Sequence, residues 1–99
     1  MPVSVTSEDR VLLTSLRDRT HLPALAAGHL LVGLGTGEEV RAARREMAAH
    51  DNVMFIAGHR DDIPWRPAWF TLIVDPGGGE QSSAIERSLA PSGRIVTIL

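Results

Sequence analysis

With 99 residues, 43% of them apolar, the chain can fill one small core. It has no cysteine, which excludes disulfides and thiolate metal sites, and its net charge of −2 gives no general electrostatic reason to bind nucleic acid. No stretch has the length of a membrane span or the layout of a signal peptide, so a single cytoplasmic domain over residues 1–99 is expected.

Residues 1–6 are extended in type. Ser7-Glu8-Asp9 reads as a helix start, with acidic residues where the helix dipole favours them. Val11, Leu12, Leu13 and Leu16 would form its apolar face, and Pro23 would end it. Residues 1–24 are therefore expected to be a helical lead-in to a Rossmann-like core over 25–99. The first strand is placed at about His29–Gly33, running into Gly33-x-Gly35-x-Gly37. A helix from Gly37 to His50 follows, turning Val40, Ala43 and Met47 to the sheet. Val53–Ala57 is fully apolar, as suits a central parallel strand. After the polar turn 58–64 and the Pro-braced loop Trp65–Trp69, Phe70–Val74 is the third strand and Asp75–Gly79 a flexible exit turn. Ser83-Ala84-Ile85-Glu86 reads as a capping box, its helix ends near Ala90, and Arg94–Leu99 is the last strand. Strands alternating with helices predict a parallel α/β sheet.

Leu30-Leu31-Val32-Gly33-Leu34-Gly35-Thr36-Gly37 resembles the first motif of the class I S-adenosylmethionine (SAM) methyltransferases. Asn52–Gly58 followed by Asp62-Ile63-Pro64-Trp65 is similar to that family's third strand and its loop. Phe70–Val74 is similar to its F-D-x-V-x strand, and Glu86–Ile95 to its E-x-x-R-V-L-x-P-G-G-R-L turn. The matches run in the family's order over roughly residues 25–99. The resemblance implies a minimal Rossmann-like three-layer sandwich with a SAM pocket at Gly33, Leu34, Gly35, Gly37, His59 and Arg60.

Several positions depart from the family pattern. Leu31 stands where the family has an acidic residue before the first glycine, His59 at the adenine-binding aspartate, and Thr71 at the aspartate of the F-D strand. The helix from Gly37 runs straight into Asn52, so the strand with the ribose-gripping carboxylate reads as deleted. The last two strands have no counterpart. The expected sheet thus has about four mainly parallel strands, lacking the family's second, sixth and seventh, in the order 53–57, 29–33, 70–74, 94–99. Each lost ligand hydrogen bond is worth about 0.5–1.5 kcal/mol, and more where an ion takes part. SAM is therefore expected to bind weakly or not at all, and the pocket to be vestigial. The glycine turn can equally serve only to pack strand against helix.

No residue is singled out as catalytic or as a metal ligand: His21, His29 and His50 lack ligand spacing, and His59-Arg60-Asp61-Asp62 reads as solvated charge. Trp65 and Trp69 can either bury a partner's surface or fold back over the core. The last strand, with Ile95, Thr97 and Leu99, would lie at a sheet edge with neither proline nor lysine to block pairing. The reading is a degenerate, non-catalytic pseudoenzyme that acts as a binding or structural subunit. It would sit in a homo-oligomer or against a protein partner, with no nucleic acid or membrane partner. The alternatives are an active SAM-dependent methyltransferase whose pocket another chain completes and, more weakly, a nucleotide-binding module.

Overall fold

The computed structural model describes residues 4–76 and 82–98. Its elements are β1 (Arg10–Leu13), α1 (Leu22–Leu25), β2 (Leu30–Gly35), α2 (Gly37–Glu46), β3 (Val53–Ala57), β4 (Phe70–Pro76), α3 (Ser83–Ser88) and β5 (Leu89–Ile98). The five strands form one all-parallel sheet in the order β3-β2-β1-β4-β5. The α/β class expected from the alternation is therefore the observed one.

Two expectations are corrected by β1. The stretch from Ser7 is not a helix, and the sheet has five strands instead of four. Val11, Leu12 and Leu13 are almost completely buried, Leu12 against one face of the sheet and its two neighbours against the other. A short apolar run of this kind has no decisive period, and burial on both faces settles it as a central strand. In consequence the glycine-bearing strand is second in the sheet's chain order, with β1 between it and β4. The place read as a deleted strand is filled.

Two apolar clusters cover the sheet. Val11, Leu13, Leu16, Leu25, Leu31 and Leu72 pack with Val40 and Ala43 of α2, and with Met47 just beyond its end, on one face. Leu12, Val32, Leu34, Phe70 and Ile73 pack with Ile63 and with Ala84 and Ile85 of α3 on the other. This is a three-layer sandwich.

Helix limits also differ from the sequence reading. The capping box belongs to α2: the Thr36 side chain accepts the Glu39 N–H and the Glu39 side chain accepts the Thr36 N–H. That helix stops at Glu46, short of His50. The cap of α3 is Ser82, whose hydroxyl accepts the Ile85 N–H. β5 begins at Leu89, because Phe70 pairs with Leu89 before a register shift brings Leu72 opposite Arg94. Pro91 is tolerated within it because β5 is an edge strand. Leu99 and the 77–79 part of the exit turn lie outside the described residues.

At the amino ends of the strands a buried carboxylate joins three of them. Asp9 accepts from the Thr6 N–H (2.9 Å), the Thr71 hydroxyl (2.8 Å) and the Arg94 guanidinium (3.2 Å). Thr71 in turn accepts the Arg10 N–H at 2.9 Å.

Candidate functional site

Because all five strands are parallel, their carboxyl ends open on one side of the sheet. Strand order reverses between β1 and β4, and open α/β sheets bind ligands in the crevice outside that junction. Three side chains meet there. The Thr14 hydroxyl, immediately after β1, donates to Asp75 Oδ1 at 2.7 Å. Arg60, in the turn after β3, reaches across and grips the same carboxylate in a bidentate pair, Nη2 to Oδ2 at 2.9 Å and Nε to Oδ1 at 3.2 Å. The Ser82 hydroxyl donates to the Arg60 carbonyl at 2.7 Å and fixes the turn from the side of α3. Asp75 is thus a buried residue near the end of β4, where the sequence reads as an exit turn.

The glycine motif stands one strand away from this junction. Gly33 and Leu34 are buried inside β2, Leu34 with its side chain in the core, while Gly35 ends the strand and Gly37 opens α2 on the surface. A Cβ on Gly33 would come within 2.8 Å of both Leu16 and Phe55, and one on Gly35 within about 3 Å of Leu16 and Glu39. The close approach that these glycines permit is made by the chain's own side chains. At the amino end of α2 the Thr36 side chain accepts the Glu39 N–H.

His59 is exposed and closes a tight turn with Asp62, while its Nδ1 accepts the Asp61 N–H at 3.2 Å. Of the six residues expected to line a pocket, only Arg60 reaches the junction between β1 and β4. Thr14 and Asp75 complete that cluster although 61 residues separate them in sequence. The one local signal for Asp75 is a charged residue directly after an apolar strand.

Trp65 and Trp69 are half-buried over the second cluster. Their ring centroids lie 5.4 Å apart, and Trp69 meets Phe70 edge-on at 5.1 Å. The Arg10 guanidinium stacks 5.1 Å above the Trp69 ring. At the sheet edge, Ile95 is 44% exposed and Thr97 is exposed. Among the described residues there is no cluster able to hold a metal ion, and no helix long and apolar enough to cross a membrane.

No family model and no curated protein matches the sequence. Solved structures do match the fold. YcgJ from Bacillus subtilis superposes with a TM-score of 0.77 at 21% identity, covering 94% of this chain and 44% of that one. A SAM-dependent methyltransferase from Mesorhizobium loti gives 0.75 at 13% identity, covering 96% and 48%. A chain from the complex of the Haloferax volcanii Trm112 methyltransferase activator with its methyltransferase gives 0.73 at 20% identity, covering 91% and 45%. The chain has a class I methyltransferase-like, Rossmann-type fold and spans about half the length of these proteins.

Proposed function

We propose that this chain is a methyltransferase-fold domain that has given up its cofactor site to internal packing and serves as a non-catalytic binding or structural subunit, in a cytoplasmic homo-oligomer or larger complex. The observation that carries this reading is Leu16 filling the space over Gly33 and Gly35. A SAM molecule needs close backbone approach at a glycine turn, free donors at the following helix, and room at the strand-order reversal. Leu16 takes the first, Thr36 one donor of the second, and the Arg60–Asp75–Thr14 cluster the third. The residues present do not fit the cofactor.

The surfaces offered to a partner are the β5 edge, with Ile95 and Thr97, and the rim of the Trp65 and Trp69 loop. The Haloferax volcanii neighbour is itself found in a protein complex, which supports partnering as a use of this fold.

The test is calorimetric titration of the purified chain with SAM. No saturable heat is expected. Micromolar binding would overturn the reading in favour of an active methyltransferase whose pocket is completed by another chain. The SAM-dependent enzyme among the neighbours gives that alternative its support.

A further inference from the structure

We infer that Thr14 and Asp75 form a seat for a guanidinium or alkylammonium group, filled in cis by Arg60. The seat lies at the β1/β4 junction, where the fold places ligands. It is layered: the Asp75 side chain is 6% exposed and forms the floor, whereas the Arg60 side chain is 28% exposed and lies towards solvent. The floor comes from regular strand structure, since Asp75 lies in β4 and the adjoining Thr14 N–H is bonded to the Val74 carbonyl at 3.0 Å. The occupant comes from a twelve-residue connection, 58–69, that contains no helix.

The asymmetry has a chemical consequence. Thr14 keeps the carboxylate oriented whether or not Arg60 is in place. A buried carboxylate deprived of its cation is strongly unfavourable, so the seat calls for another donor of the same kind. The bidentate geometry selects planar N–H donors, guanidinium above ammonium. Exchange replaces the charge-assisted pair on Asp75 by another of the same kind, while Arg60, which also lies 3.9 Å from the Asp61 carboxylate, keeps an acidic neighbour in the turn. The ligand is either a small free cation of this class or an arginine or lysine side chain of a partner.

Arg60→Ala is titrated with methylguanidinium and followed by thermal unfolding, with tetramethylammonium, which has no N–H donor, as the ionic control. A saturable rise in Tm is expected with methylguanidinium alone. It should vanish in Arg60→Ala/Asp75→Asn and need several-fold more ligand in Arg60→Ala/Thr14→Val. If Arg60→Ala does not fold, the Arg60 Nε–H resonance of the unaltered chain is followed during the same titration, with a saturable shift expected. A short peptide containing one arginine, run in parallel, distinguishes the sources: tighter binding of the peptide indicates a partner's side chain, and tighter binding of methylguanidinium a free small cation. Absence of saturable binding in the assay used, or binding that survives Asp75→Asn, overturns the assignment. The readout uses neither SAM nor the β5 edge, so its failure leaves the calorimetric test of the subunit role standing; its success would mean that the room at the β1/β4 junction is held by a side chain that can be exchanged.

Discussion

Asp9 shows how much one side chain contributes where three strands meet. Burial pushes its carboxyl up, but the Thr6 N–H, the Arg94 guanidinium and the Thr71 hydroxyl more than reverse this and bring it to about 2. A carboxylate whose folded value lies below its unfolded one stabilises the protein above the unfolded value, and that contribution disappears as pH falls through the folded one. The increment is on the order of 2 kcal/mol, complete above about pH 4 and lost towards about pH 2. Urea unfolding across that range should show the loss in the native sequence and not in Asp9→Asn, which starts less stable at neutral pH. Gly33 provides a second test. An alanine there meets Leu16 and Phe55 at 2.8 Å, so Gly33→Ala should cost about 1–3 kcal/mol by overpacking. Adding Leu16→Ala should recover part of that cost in a double-mutant cycle. A glycine kept open as a ligand cradle would accept the methyl group with little change in stability. Ala68 is the described non-glycine residue with positive φ, at 55°. Ala68→Gly should therefore raise stability by about 0.5–1 kcal/mol in the same assay.

At the scale of elements, what the sequence reveals follows from how local each signal is. β2, β3 and β4 are runs of four or more apolar or small residues bounded by glycine, proline or charge, and all three are legible. α2 is legible from its period, and its limits are set by contacts within four residues of each end: the Thr36–Glu39 box at the start and the Met47 N–H bonded to the Ala43 carbonyl at the finish. Thr36→Ala should cost about 1 kcal/mol in thermal or urea unfolding, because the box is that helix's amino-terminal cap. β1 is not legible, because four residues hold too little of any period and their burial depends on strand partners 61 residues away. The candidate site shares this difficulty: Arg60 and Thr14 come from two connections and Asp75 from the end of β4, and only the finished sheet brings them together. The glycine motif is visible in sequence for the opposite reason, being entirely local. Its role depends on Leu16, which the motif does not contain.

At the scale of the molecule, the two edges of the sheet are finished differently. On β3, Asn52 and Gly58 bond to β2, so the carbonyl of Phe55 between them faces outward, and the Arg44 guanidinium caps it at 3.0 Å. A charged side chain laid across an edge discourages further pairing. On β5 the one arginine, Arg94, is turned to Asp9 at the amino end, and the residues beyond it are Ile95, Val96 and Thr97, with Ile95 nearly half exposed. An apolar β-branched edge of this type is a template for another strand. The purified chain should therefore associate as its concentration rises, with light scattering giving a mass above that of one chain. Ile95→Lys should shift that rise to higher concentration while changing monomer stability by no more than about 0.5 kcal/mol, since the side chain is nearly half exposed. A substitution at the guarded edge, Met54→Lys, is the control: Met54 is equally exposed, and association through β5 leaves it unaffected. A monomer mass at every concentration, or equal effects of the two lysines, would remove β5 as the contact surface.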